Sequence, residues 1–377
     1  MSLADPFNSK QVLFTPGPLT TASEVKKATL FDLGSRDYTF IQLVQEIRNE
    51  LLELAHAQSP EYETIIVQGS GTFGVESTIS SVIPADGVLL NIINGAYGRR
   101  ISQMAGIHGI ELVEISYPEN SLYDLAEIEQ ALLSHPQITH ISVIHGETTT
   151  GLLNPLESLG ALAKQYNKVF IVDAMSTFGA YQVDVKTLNI GFLVSSSNKC
   201  IEGIPGFSFV IAQADELKKS KGNARTLSLD LYEQWLGLHS NGQFRFTPPV
   251  QVLLGFREAL RLLHEEGGTE ARGARYSENN LLLIEGMIRL GFEPYLPKSI
   301  RSYIITSFLY PGHPNFSFET FYQKLHEKGC VIYPGKLSQV DCFRIGNIGQ
   351  IYSDDIHNLL ISIEKTLLEM DIDLINQ

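Results

Sequence analysis

Cysteine is scarce in this chain. Of 377 residues, only Cys200, Cys330 and Cys342 carry a thiol. Three thiols cannot build a disulfide framework and their spacing is that of no metal site, so the expectation is a reducing, cytoplasmic setting and no metal. Long apolar runs are missing too: none reaches the roughly eighteen residues of a membrane-spanning helix, and no membrane partner is expected. The opening MSLADPFNSKQ lacks a basic stretch followed by an apolar one, so no secretory leader is expected. Positive charge is in deficit, 28 Lys and Arg against 42 Asp and Glu, for a formal charge of −14. That field repels phosphodiester backbones and argues against nucleic acid as a partner. It leaves small anions open, because a few local arginines override a distant net charge. The phosphate loop GxxxxGK[ST] does not occur. Neither do internal repeats or low-complexity segments.

What is present is an ordinary globular composition, 44% apolar and 19% charged, in a chain long enough for two domains. Strand and helix patterns alternate. The stretch from about Thr39 to Ala55 predicts a helix with Ile41, Val44, Ile47, Leu51 and Leu54 on one face. TIIVQGSG, VLLNIINGAYG, ITHISVIHGETTTG, KVFIVDAMSTFGA and IGFLVSSSNK are apolar, largely β-branched runs that break into small or polar residues. Such runs predict strands covered on both faces, in a mainly parallel sheet flanked by helices. In sheets of this kind the working residues gather beyond the carboxyl ends of the strands. After about residue 265 the pattern changes to charged helices and short strands. The expected division is an α/β domain over residues 12–265 and a smaller α+β domain over 266–377, with the N-terminal segment 1–20 packed on the smaller one.

Four strand ends carry chemistry. In QGSGTFGVES, Ser70, Gly71 and Thr72 follow a strand and open a helix, offering N–H groups, two hydroxyls and the positive end of a helix dipole to a phosphate; the plain alternative is a helix cap. In NGAYGRR, Tyr97 stands between glycines that leave its ring free to stack on something planar; core packing is the alternative. Asp173 ends the strand VFIVD, where a part-buried carboxylate needs a cation or a ring N–H. A structural salt bridge would also serve. Lys199 ends SSSNK, where a surface lysine is the ordinary reading and an amine held in a pocket for imine formation is the other. A phosphate cradle, a stacking ring, a pyridinium partner and an imine-forming lysine are together what pyridoxal 5′-phosphate asks of a protein.

The order SGT, GAYG, HGETTTG, DAMS, SNK, FTPP and FRIGNIG resembles the class V subgroup of fold-type I pyridoxal-phosphate transferases. Within that subgroup LFTPGPLTT, GSRDYTF, ETTTGLLNPL, NKCIEGIPGF, EEGG and YPGK are most similar to aminotransferases that use 2-aminoethylphosphonate and pyruvate. The resemblance runs from about residue 12 to residue 365. It implies that Lys199 is the Schiff-base lysine and proton shuttle, flanked by Asn198 in the cofactor site. Asp173 would keep the ring nitrogen protonated, and Tyr97 would stack on the ring. Ser70, Gly71 and Thr72 would bind the phosphate, joined by Thr247 across a homodimer interface. Phe244 stands where some relatives have a tyrosine hydroxyl. Thr148 or Thr149 would bond near the ring hydroxyl. Arg344 would grip the substrate's anionic group with its planar fork, although strand spacing alone reads it as a surface ion pair; Arg36 is the second candidate.

The expected activity is amino transfer from 2-aminoethylphosphonate to pyruvate, giving phosphonoacetaldehyde and L-alanine. Two alternatives stay open at this point. One is a serine or alanine transaminase of the same subgroup acting with glyoxylate or pyruvate. The other is a non-catalytic binding protein with a retained pocket. A desulfurase would need a loop cysteine as nucleophile, which Cys200, Cys330 and Cys342 do not offer. His145, at a strand end, reads equally as a base or as a support for the site.

Overall fold

The structure, a computed structural model, describes residues 11–337 and 340–374. The chain forms two compact units. The larger holds residues 21–147 and 153–272; the smaller holds the described residues up to Thr20, the short stretch Thr148–Leu152, and the chain from Gly273 onward. Of the segment 1–20, residues 1–10 lie outside the described residues.

Seven strands make the sheet of the larger unit: β1 (Tyr62–Gln68), β2 (Val88–Ile93), β3 (Glu111–Ser116), β4 (Ile138–Ile144), β5 (Val169–Asp173), β6 (Phe192–Ser196) and β7 (Phe207–Gln213). Their order is β1-β7-β6-β5-β4-β2-β3. All neighbours run parallel except β7, which is antiparallel to both β1 and β6. The apolar runs are buried along nearly their whole length, as strands covered on both faces must be. Edge strand β3 differs, with exposed residues along it.

Register explains where the polar endings meet. Asp173 lies opposite Ile144 of β4 and Val194 of β6, so the ends of these three strands are side by side. Because β7 is reversed, its first residue Phe207 lies beside Gln68, the last of β1. One edge of the sheet therefore collects the chain after β1, after β2, after β5 and between β6 and β7.

Helix α1 (Tyr38–Leu54) forms as expected, but its buried stripe is turned from the expected one. Phe40, Leu43, Val44, Ile47, Leu51 and Leu52 are buried, while Ile41 and Leu54 lie at the margin. Phe40, Leu43 and Leu52 widen the apolar face on that side, and Arg48 is buried with them. It pairs with Glu63 of β1 at 3.0 Å and donates to the main-chain oxygens of Thr64 and Leu238, which satisfy its charge inside the protein. Helices α2 (Gly71–Val82) and α3 (Ala96–Ile107) start directly at the sheet's working edge. Helix α4 (Val250–Glu266) closes on Gly267 at φ 110°, the left-handed position that favours glycine. Helix α5 (Gly268–Arg289) follows.

The smaller unit is built around an antiparallel sheet of β8 (Ile305–Leu309), β9 (Tyr333–Pro334) and β10 (Cys342–Gly346), with β10 central. Val12–Leu13 pairs in parallel with Cys330–Val331, tying the described N-terminal residues to this unit. Its core gathers Phe14, Phe292, Phe308, Phe321, Phe343 and Ile363. All three cysteines are free thiols and buried. No helix among the described residues is long and apolar enough to cross a membrane.

Candidate active site

Asp173 is the last residue of β5 and only 8% exposed. Its Oδ1 accepts the Met175 N–H at 2.9 Å. Burial pushes its carboxyl up to about 6; the Met175 N–H and the positive charges of Arg100 and Lys199 pull the other way. Lys199 is thus an electrostatic neighbour of Asp173. It is half-buried in the connection that reverses the chain between β6 and β7. Turn bonds fix that connection: Glu202 N–H to the Lys199 carbonyl and Gly203 N–H to the Ser197 carbonyl, both at 2.8 Å. Asn198 beside the lysine is half-buried and makes no hydrogen bond among the described residues.

Ser70 takes the N-cap position of α2, yet its hydroxyl makes no capping bond. The first N–H groups of the helix have no carbonyl one turn back to donate to, as at any helix start. A Cβ on Gly71 would lie 2.3 Å from Met175 Sδ, so the helix start and the residue held by Asp173 are in direct contact. Arg100 reaches the same place. Its Nη1 donates to Thr72 Oγ1 at 3.2 Å, and its guanidinium lies 4.8 Å from the centre of the Tyr97 ring. Tyr97, half-buried one turn earlier on α3, donates its main-chain N–H to Glu147 Oε2 at 3.1 Å. Glu147 is a buried carboxylate set against the positive end of α3.

This edge can hold a small planar ligand with an anionic tail. The tail's charge meets the start of α2 and Arg100, an aromatic face is supplied by Tyr97, and a buried carboxylate is displaced upward in pKa until a cation meets it. An amine stands beside that carboxylate.

A model of the family described as Aminotransferase class-V matches residues 25–332. The chain belongs to the class-V aminotransferases. It is 51% identical, over 95% of its length and 98% of the relative's, to a 2-aminoethylphosphonate–pyruvate transaminase of Bacillus cytotoxicus. A 2-aminoethylphosphonate–pyruvate transaminase of Klebsiella pneumoniae is 50% identical over 94% of this chain and 97% of its own. Among solved structures, an alanine–glyoxylate aminotransferase from Nostoc superposes with a TM-score of 0.88 at 26% identity, covering 97% of this chain and 98% of that one.

For a class-V aminotransferase, the structure brings together Ser70, Gly71, Thr72, Tyr97, Asp173 and Lys199. Thr247 lies in the larger unit with an exposed side chain, its carbonyl held by Gln68 Nε2 at 3.1 Å. Phe244 packs toward Phe40, ring centres 6.4 Å apart. Arg36 is exposed on the loop before α1 and makes no hydrogen bond or ion pair among the described residues; nothing joins it to the Lys199 group. Thr148, Thr149 and Arg344 belong to the smaller unit and meet there. Arg344 is not a surface residue. At 6% exposure, it donates to the carbonyls of Thr148 (2.8 Å) and Pro334 (3.0 Å) and lies over Tyr333.

His145 is buried, and burial lowers its pKa to about 4. Its ring bonds Thr177 Oγ1 at 2.8 Å, and its main-chain N–H donates to the Asp173 carbonyl. That makes it a support for the end of β5. Cys200 donates its thiol to the Ser176 carbonyl, and burial pushes the thiols of Cys330 and Cys342 up. None of the three has the setting of an activated nucleophile.

Sequence reasoning passed over Arg100, Glu147 and Met175. Arg100 stands three residues after Tyr97, the spacing that places two side chains on one helix face. Glu147 carries no comparable signal, because its partner is fifty residues away. Gly69, Gly71 and Gly74 also have the G-x-G-x-x-G spacing between a strand and a helix. Here it serves a turn at Gly69 (φ 115°) and close approach of α2 to Met175 and to Ser208.

Proposed function

We propose that this class-V aminotransferase moves the amino group of 2-aminoethylphosphonate to pyruvate, yielding phosphonoacetaldehyde and L-alanine, with pyridoxal 5′-phosphate as cofactor. One observation carries the reading: Asp173 at the end of β5 and Lys199 in the turn after the adjacent parallel strand β6 are electrostatic neighbours at an edge that also holds a helix N-terminus and an aromatic ring. Relatives at 50–51% identity bearing the phosphonate transaminase name support the choice of substrates.

The bound cofactor would supply an aldehyde carbon for the amino group and an electron sink. The residues do the rest. Ser70, Thr72 and the first N–H groups of α2 hold the phosphate, and Thr247 adds a hydroxyl across a homodimer interface. Tyr97 covers one face of the ring. Asp173, ionised beside the ring, holds a proton on the ring nitrogen, and the cation so formed offsets the burial that otherwise raises the pKa of the carboxyl. Lys199 Nζ, released as a neutral amine, takes the proton from the carbon bearing the substrate's nitrogen and returns it on the other side of the transfer. Arg344 is the proposed partner of the phosphonate and then of the pyruvate carboxylate, and Thr148 and Thr149 of the ring hydroxyl. Phe73, Leu227 and Phe246 are exposed apolar side chains of the larger unit, surface that a second subunit would cover.

A visible absorption spectrum of the purified protein tests this. Titration with 2-aminoethylphosphonate should bleach the cofactor band, and pyruvate should restore it. Bleaching by serine in preference to the phosphonate would overturn the substrate assignment, and a protein that retains no chromophore would overturn the cofactor.

A further inference from the structure

The segment EEGGTEAR and the residues CIEG that follow Lys199 take no part in the chemistry above, yet a buried charge network joins them. Arg272 of α5 is 1% exposed. Its Nη1 donates to the Cys200 carbonyl at 2.7 Å and lies 3.5 Å from Glu202 Oε1, while its Nε donates to Glu266, the last residue of α4. A guanidinium so deep in the protein is tolerable only with its fork satisfied, and here the partners are the turn after Lys199 and the end of α4.

That turn contains a strained residue. Glu202 has φ 65°, the left-handed region, without being glycine or asparagine. Such backbone persists only where its surroundings over-determine it, and it gathers at working sites. The strained residue closes the lysine's turn, since its N–H donates to the Lys199 carbonyl. Arg272 thus grips both the carboxylate of the strained residue and the carbonyl next after that of the lysine. A second peg, the Cys200 thiol on the Ser176 carbonyl, holds the same peptide from another side.

We infer that Arg272, aimed by Glu266, is a positioning residue for Lys199: it keeps the strained turn in the form from which the amine reaches the cofactor aldehyde. The inference rests on the cofactor reading above. It makes Glu202 and Glu266 parts of the same clamp.

The test compares two forms of the cofactor. Pyridoxal phosphate can bond covalently to the lysine, whereas pyridoxamine phosphate cannot, so a displaced lysine weakens only the first. Dissociation constants for both are measured with the full-length wild type, Arg272→Lys, Glu202→Gln, Lys199→Ala and the Arg272→Lys/Lys199→Ala double variant. Arg272→Lys and Glu202→Gln should each weaken pyridoxal phosphate about tenfold, ~1.4 kcal/mol, and leave pyridoxamine phosphate within about twofold. In the Lys199→Ala background, Arg272→Lys should add nothing. Equal weakening of both forms, or of neither, in either variant overturns the clamp; Glu202→Gln keeps its shape and decides the matter if Arg272→Lys does not fold. If Lys199→Ala itself leaves the pyridoxal phosphate constant unchanged, the cofactor reading fails instead.

Discussion

Gly95 and Glu147 contend for the same space: a Cβ on Gly95 would lie 2.2 Å from Glu147 Cδ and 2.4 Å from Oε2. The missing side chain at 95 is what lets a buried carboxylate reach the Tyr97 N–H at the start of α3. Gly95→Ala must push that carboxylate aside. Overpacking of this sort costs ~1–3 kcal/mol, so the urea midpoint should fall. Tyr97 should also lose its fixed attitude, weakening both forms of the cofactor. An unchanged midpoint would show that Glu147 has room to retreat.

Asp173 gives opposite predictions for stability and for activity. Its folded pKa of about 6 lies above the ordinary 3.8, so its contribution to stability is full below pH 3.8 and lost as pH rises through 6. A shift of that size corresponds to about 3 kcal/mol. Asp173→Asn should therefore stabilise the cofactor-free protein at pH 7.5, while lowering kcat at least ~100-fold, since the ring proton loses its holder. Denaturation of the stripped variant at pH 7.5 and pH 5 checks the first half. A variant less stable than wild type at both values would contradict it.

His145 acts in the reverse sense. Burial lowers its folded pKa to about 4 against an ordinary 6.5, so the stability it gives is present above 6.5 and lost as pH falls through 4. His140, also buried and also lowered to about 4, adds to the same acid limb. His145→Gln should flatten the fall of unfolding free energy between pH 6.5 and pH 4. An acid limb as steep as that of wild type would mean that other groups set it.

The parallel strands and their polar endings were legible because each is a local event: an apolar run, then small or charged residues. Lys199, Asp173, Tyr97 and the Ser70–Thr72 turn follow from that pattern. Strand β7 and edge strand β3 were passed over for different reasons. FSFVIAQ takes its direction from pairing with Tyr62–Gln68, far back along the chain, and no residue within it records that. ELVEIS mixes charge into its apolar positions because one side of it has no neighbouring strand. The burial of Arg48 on α1 was hidden because an arginine counts as polar in any periodicity, and its partner Glu63 lies fifteen residues on. Glu147 meets Tyr97, and Arg272 meets Cys200 and Glu202, across long stretches of sequence, and these contacts had no local trace.

The reversal of β7 has a consequence for how the enzyme comes apart. The lysine is carried on the link between two strands in the middle of the sheet, each flanked by a neighbour on its other side. Such a link cannot fray as a terminus or a surface loop does, because freeing it means prising central strands from their partners. The colour of the bound cofactor should accordingly survive until the whole larger unit melts, which makes it a gauge of global unfolding.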